Sequence, residues 1–346
     1  MNKFAHELRV VDVIEETAEA VTVVFDVPNA IADRFEYLCG QFLTVQIPSE
    51  STGSVARCYS LSSSPHSDDR LAITVKRMRG GYASNWLCDN ASPGSTLTVL
   101  EPAGNFVPSS LNTDVLLCAA GSGITPILSI AKSVLAAGTG RVALVYANED
   151  RGSTIFAAQL ADLAARFSDR LTVVHWLVRE HGLPSAAGLG SIFQAHPFDD
   201  VYICGPIAFM AVVDSALAMT GQADRPAWRE EYRSLDANPF ERPTDARPAD
   251  SPSGDQPIVE VEIDGEHRTF QWPRNTTLLD VLLDNGIDAP YVCRESICGT
   301  CVCSVRKGRT RMLRNDSLVD EDVDMGLTLA CQTLPESDEV YIAFDQ

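Results

Sequence analysis

Cys293-Arg294-Glu295-Ser296-Ile297-Cys298-Gly299-Thr300-Cys301, completed by Cys331, decides how this chain is read. The spacing is C-x4-C-x2-C with a fourth cysteine about thirty residues on, the ligand spacing of a [2Fe–2S] cluster. Two irons need four thiolates within a few ångströms. One tight loop supplies three, Cys293, Cys298 and Cys301, and a distant segment closes the cage with Cys331. Four cysteines also suit tetrahedral zinc. Zinc sites more often pair two short C-x2-4-C knuckles, however, and only one half of this set looks like that. Cys303 falls outside the count and reads as a bystander.

A one-electron carrier at the C-terminus needs a source of electrons, so the preceding chain is read for one. With 346 residues, two or three domains are expected. The first twenty residues lack the apolar core of a signal peptide, and no run of eighteen apolar residues occurs. The expectation is a protein of a reducing, cytoplasmic compartment with no membrane partner. Cys39, Cys58, Cys88 and Cys118 then read as small buried thiols. The net charge is −20, and from Asp255 onward 18 acidic residues face 8 basic ones. Such a balance disfavours nucleic acid and suits brief docking on a basic protein patch.

Residues 8–108 carry short β-branched runs at 21–25, 42–47, 71–75 and 97–99, punctuated by Pro, Gly, Asn and Asp. They predict a small antiparallel barrel. From residue 114, apolar strands at 115–119, 142–146, 171–175 and 200–204 alternate with helical patterns at 126–137, 155–167 and 207–219. That rhythm predicts an α/β parallel sheet covered on both faces. A proline-rich stretch follows, read as an inter-domain linker. After Pro257 come strands 258–263 and 268–272, a helix at 276–285, the cysteine loop and a strand at 339–344. The expected organisation is therefore multidomain: 1–110 an antiparallel β-barrel, 111–235 an α/β parallel-sheet domain, 236–256 a linker, and 257–346 an α+β (β-grasp) domain that carries the cysteine loop.

Arg57-Cys58-Tyr59-Ser60 offers a cation for phosphate, an aromatic face and a small donor on one strand. Lys76-Arg77-Met78-Arg79-Gly80-Gly81-Tyr82-Ala83-Ser84 then leads into a helix whose first N–H groups can take a pyrophosphate. Each piece alone is weak. Together, R-x-Y-S and G-G-x-x-S resemble the flavin signature of the ferredoxin–NADP⁺ reductase superfamily. The resemblance implies that Arg57, Lys76, Gly80, Gly81 and Ser84 hold flavin phosphates, that Tyr59 packs on the ring and that Ser60 lies near flavin N5. Gly121-Ser122-Gly123-Ile124-Thr125-Pro126 follows a strand and opens a helix, and it is not the Rossmann G-x-G-x-x-G. It matches the superfamily's G-x-G-x-T-P turn, which implies that Gly121, Gly123, Thr125 and Pro126 hold a nicotinamide nucleotide. Cys204-Gly205-Pro206 matches its C-G-P motif, which implies a cysteine beside the nicotinamide. Glu230 falls where relatives carry an acid near the flavin. Glu149 and Asp150, after the second strand, would repel a 2′-phosphate and favour NADH over NADPH, with Arg151 opposing them.

The order flavin, nucleotide, ferredoxin resembles phthalate dioxygenase reductase-like and phenylacetyl-CoA epoxidase reductase-like proteins. Segments 53–66 and 80–89 are most similar to the reductases of 3-ketosteroid 9α-hydroxylases. That resemblance implies FAD rather than FMN and a Rieske-type terminal oxygenase as partner. Reductases of a Rieske demethylase or a diiron epoxidase stay open as alternatives. So does a zinc-stapled nucleotide-binding scaffold without redox chemistry. In many plant-type cysteine loops a glycine stands where this chain has Ser296, so a different local backbone is expected there.

Overall fold

The computed structural model describes residues 4–235, 238–241 and 256–344, so most of the segment read as a linker lies outside the described residues. Two compact units are present: residues 7–102 with 106–234, and a second built mainly on the chain from 235 onward.

The larger unit begins with a barrel. Its strands are β1 (Ala5–Thr17), β2 (Ala20–Asp26), β3 (Phe42–Ser49), β4 (Gly53–Ser60), β5 (Leu71–Lys76) and, after helix α1 (Tyr82–Asn90), β6 (Thr96–Leu100). They lie in the order β4-β3-β6-β1-β2-β5, and a Leu61–Ile73 bridge joins the two ends. The period-2 pattern of Val, Leu and Phe puts Val23, Phe25, Leu43, Val45, Ile73 and Val75 inside, none of them accessible to solvent. Each such side chain contributes about 1.5–3 kcal/mol through burial.

The same unit continues into a five-stranded sheet. Its elements are β7 (Val115–Ala120), α2 (Ile124–Ala137), β8 (Val142–Asn148), α3 (Ala157–Arg166), β9 (Leu171–Leu177), α4 (Val178–His181), α5 (Ala186–Ala195), β10 (Asp200–Cys204), α6 (Ile207–Met219) and β11 (Ala227–Glu230). The order β11-β10-β7-β8-β9 is parallel throughout. β7 and β8 read as continuous apolar runs because both faces are covered. Helix α2 ties this sheet to the barrel. Ser129 Oγ donates to the Ser63 carbonyl at 2.6 Å, and the buried Lys132 ammonium meets Asp68 at 3.1 Å and the Ser62 carbonyl at 3.2 Å.

The smaller unit contains β12 (Ile258–Ile263), β13 (Glu266–Gln271), α7 (Leu278–Asp284), β14 (Val302–Lys307), β15 (Thr310–Met312), α8 (Asp320–Asp324), β16 (Leu327–Leu329), β17 (Thr333–Pro335) and β18 (Glu339–Ala343). A mixed sheet β13-β12-β18-β14-β16 packs Val259, Val261 and Ile342 against Leu278, Leu279 and Leu282 of α7. Trp272 is wholly buried, and its indole N–H reaches the Thr276 carbonyl at 2.8 Å. Thr277 caps α7 by accepting the Asp280 N–H. This is an α+β unit of the β-grasp kind, with the cysteine loop between α7 and β14.

Candidate functional site

A cleft of about 1000 Å³ opens in the larger unit where the barrel meets the C-terminal ends of the parallel strands. Strand β4 brings Arg57, Cys58, Tyr59 and Ser60 to it, and the end of β5 adds Lys76. The turn before α1 adds Gly80, Gly81 and Ser84. Gly80 has φ +73°, and a Cβ on Gly81 would stand 2.9 Å from Met78 Cβ, so this turn is built for glycine. Ser84 Oγ accepts the Met78 N–H at 3.1 Å, which locks the turn from within. No side chain caps α1, and Tyr82, Ala83 and Ser84 border the cleft. The uncapped N–H groups of this first turn suit a phosphate.

Across the cleft lie Gly121, Gly123 and Thr125, with Gly205 and Pro206 beside them. A Cβ on Gly123 would come within 2.1 Å of the Cys204 carbonyl oxygen. Only glycine lets this turn cross the end of β10. Tyr146 donates to the Gly121 carbonyl at 3.1 Å and holds the turn from behind. Helix α2 also starts without a side-chain cap. Asn148 is buried and borders the cleft, and its Nδ2 has no hydrogen-bond partner among the described residues. A nucleotide in the cleft would supply the missing acceptor.

Pro126, Cys204 and Glu230 do not border the cleft. Pro126 is buried in the first turn of α2, and Cys204 is fully buried at the end of β10. Glu230 lies opposite Cys204 in the β10–β11 register. Burial pushes the Glu230 carboxyl up to about 8 and raises the Cys204 thiol well above its ordinary value. The three stand behind the wall.

In front of that wall is a residue that the sequence reading passed over. Tyr232 turns its hydroxyl between the two halves of the cleft, 2.7 Å from Thr125 Oγ1 and 3.3 Å from Ser60 Oγ. It also donates to the Ser122 carbonyl at 3.2 Å. Its ring is 46% exposed, so the phenol is held by hydrogen bonds at its tip rather than by packing. The residue lies at the junction of the flavin motif and the nucleotide turn. The only sequence sign was an aromatic just after the last strand of the sheet.

The two acids after β8 part company. Glu149 borders the cleft, whereas Asp150 turns back to accept the Ser153 N–H at 3.0 Å and pairs with Arg179 at 3.1 Å. Arg151 points outward, 82% exposed, toward Glu180. Glu149, itself 3.3 Å from Arg179, is thus the acid that a nucleotide would meet.

In the smaller unit all four predicted cluster cysteines are buried. Their sulfurs pair as Cys293 with Cys298 and Cys301 with Cys331. Four buried thiols arriving as two neighbouring pairs suit a two-iron cluster held by cysteines. The N–H groups of Glu295 and Cys298 reach Cys293 Sγ at 3.3 and 3.4 Å. Donors aimed at sulfur favour thiolate ligands, so the donor set fits the cluster. Ser296, where many plant-type loops carry glycine, has φ +65°, a left-handed conformation that glycine adopts without strain.

Comparison with known proteins identifies three domains along the chain. Residues 7–107 match the oxidoreductase FAD-binding domain, 117–215 the oxidoreductase NAD-binding domain, and 261–336 the 2Fe-2S iron-sulfur cluster binding domain. The chain is 50% identical over 343 residues to the ferredoxin reductase component of 3-ketosteroid-9-alpha-monooxygenase from Mycolicibacterium smegmatis, covering 98% of this chain and 97% of that one. It is 30% identical to a component of the 1,2-phenylacetyl-CoA epoxidase from Escherichia coli, with 98% of each chain covered. Among solved structures, phthalate dioxygenase reductase matches over 98% of each chain at 25% identity and a TM-score of 0.57. The chain belongs to the family of monooxygenase reductase components that join an FAD-binding domain, an NAD-binding domain and a [2Fe–2S] domain.

Proposed function

We propose that this reductase serves a Rieske-type terminal oxygenase that hydroxylates a 3-ketosteroid nucleus, drawing its electrons from NADH in the cytoplasm. The observation that carries the steroid assignment is 50% identity along nearly the whole chain, against 30% for the epoxidase component. Among the described residues no helix is long and apolar enough to cross a membrane. NADH supplies a hydride to a flavin, and a [2Fe–2S] cluster carries the electrons onward singly. The protein's part is placement. Arg57, Lys76 and the 80–84 turn would hold the flavin phosphates, Tyr59 would lie against the ring, and Ser60 would present its hydroxyl near N5. Gly121, Gly123 and Thr125, with Gly205 and Pro206, seat the dinucleotide. Tyr232 stands between the flavin motif and the nucleotide turn, where the two cofactors would meet. Cys204 and Glu230 set the polarity behind that junction.

The test is reconstitution with purified oxygenases. Product formation with a steroid 9α-oxygenase supports the proposal. Failure there, together with turnover by an epoxidase or a demethylase oxygenase, moves the chain to another partner.

Replacing Glu149 tests the nucleotide preference. In Glu149→Gln the ratio of kcat/KM for NADH over NADPH falls about tenfold, the change that roughly 1.4 kcal/mol of relieved repulsion would give. An unchanged ratio would take Glu149 out of the specificity site.

Glu230 gives a pH dependence with a definite sign. Its folded value of about 8 lies above the ordinary 4.5. The folded chain therefore binds the proton more tightly than the unfolded one, and this contribution to stability falls as pH rises from about 4.5 to 8. Melting curves of the flavin-stripped protein across that window are predicted to decline less steeply for Glu230→Gln than for the wild type.

A further inference from the structure

Two non-glycine residues of the cysteine loop adopt left-handed backbone conformations, Arg294 with φ +63° and Ser296 with φ +65°. For a residue with a Cβ this costs about 1–2 kcal/mol, and such strain persists only where the surroundings hold it. Each is held by a different anchor outside the loop. The Arg294 guanidinium pairs with Asp280 in the first turn of α7 and lies 5.4 Å from the centre of the Tyr291 ring. Its carbonyl accepts Gln332 Nε2 at 2.9 Å. Ser296 is anchored from the opposite side of the sequence. It is 1% exposed, and its hydroxyl donates to Asp316 Oδ2 at 2.8 Å. Asp316 is in turn ion-paired with Arg314.

The left-handed turn at Ser296 has a consequence at the ligands. It lies between Glu295 and Cys298, whose backbone N–H groups reach the sulfur of Cys293 at 3.3 and 3.4 Å. Gln332 Nε2 approaches the sulfur of Cys331, the cysteine that arrives from the distant segment, at 3.6 Å. Hydrogen bonds to ligand sulfur withdraw electron density and raise a cluster's reduction potential, so an N–H in this position bears on how readily the cluster takes an electron. A glycine would hold the turn unaided. A serine needs the tether.

We propose that Asp316 is a positioning residue for the [2Fe–2S] centre: by accepting the Ser296 hydroxyl it holds the loop in the left-handed turn from which the Glu295 and Cys298 N–H groups reach Cys293. The inference rests on these cysteines being the cluster ligands. It concerns Asp316, a residue outside the cysteine motif that the spacing of the ligands does not disclose. The neighbouring Arg314 offsets the carboxylate's charge, so the effect works through backbone geometry rather than through the field of Asp316.

The test uses the full chain loaded with FAD and cluster. Asp316→Asn keeps an acceptor oxygen and removes the charge, whereas Asp316→Ala removes both. The pair is made with Ser296 and again in a Ser296→Gly background. The readouts are the midpoint potential by EPR-monitored titration, the g-values of the reduced cluster, and the rate of cluster bleaching under a chelator. With Ser296 present, the alanine variant is expected to have a more negative midpoint than the asparagine variant and shifted g-values. It should also lose its cluster about fivefold faster, the factor of roughly one hydrogen bond. In the Ser296→Gly background the two variants coincide. NADH reduction of the flavin is the same in all, which separates this effect from any failure of the electron-entry site. The proposal is overturned if alanine and asparagine behave alike with Ser296, or if their difference survives in the glycine background. Should Asp316→Ala hold no cluster at all, its recovery on adding Ser296→Gly supports the tether and lack of recovery refutes it. A protein in which Cys293 proved not to be a ligand would instead show the same cluster signal with Cys293→Ala, a separate failure.

Discussion

Cys301→Ala is expected to leave NADH reduction of the flavin at the wild-type rate while electron delivery from the cluster falls more than a hundredfold. The two steps part because the cysteine loop and the cleft lie in different compact units, each with its own core. Loss of residues that merely support metal ligands already costs about 10–100-fold, so loss of a ligand exceeds that. Stopped-flow bleaching of the flavin band reports the first step, and reduction of an oxygenase or a one-electron dye reports the second. The control is Cys303→Ser. Cys303 is buried in β14 among the core residues and falls outside the C-x4-C-x2-C spacing, so the variant keeps its cluster spectrum. If Cys301→Ala retained the cluster, the assignment of the four ligands would be wrong.

Gly123→Ala is expected to strike the other end of the path. The added Cβ would sit 2.1 Å from the Cys204 carbonyl oxygen, and both atoms belong to main chain that cannot swing away. The turn must retreat from β10, carrying Gly121 and Thr125 with it. Overpacking of this kind costs about 1–3 kcal/mol, and a displacement near 1 Å at a positioning group can slow a reaction about a hundredfold. Flavin reduction by NADH should therefore slow by about that factor, while dithionite still reduces the cluster normally. Gly80→Ala is the comparison. Its φ is +73°, but a Cβ there meets nothing within 4 Å, so only the backbone strain of about 1–2 kcal/mol is felt. Equal rates for Gly123→Ala and the wild type would mean that the crossing over β10 does not position the nucleotide.

What the sequence disclosed was local. β7, α2, β8 and α6 announce themselves by apolar period, and the glycine turns by their spacing, because each depends on neighbours a few residues away. The 13-residue β1 was overlooked: its shifts of register at Val10–Asp12 and Glu15–Thr17 break the alternation that marks a strand. Helix α5 hid behind Gly188 and Gly190, residues poor in helix propensity. Gly188 is needed because a side chain there would meet the Trp176 ring at 2.5 Å. Tyr232 was missed because its partners Thr125 and Ser60 lie 107 and 172 residues away. No spacing rule reaches so far. Cys204 and Glu230 were placed at the site by resemblance, and the fold sets them one layer behind it. At Ser296 the chain takes a left-handed conformation that glycine would adopt freely, and the restraint comes from Asp316, twenty residues on, which the cysteine spacing does not disclose.

The central claim is a path from NADH through FAD to a [2Fe–2S] cluster within one chain. It is tested most directly by an anaerobic titration of the purified protein with NADH, followed by absorbance and low-temperature EPR and completed with dithionite. The account predicts flavin bleaching, a rhombic [2Fe–2S] signal and uptake of about three electrons per chain, two at the flavin and one at the cluster. A flavin that bleaches with no iron–sulfur signal, and an uptake that stops at two, would contradict it.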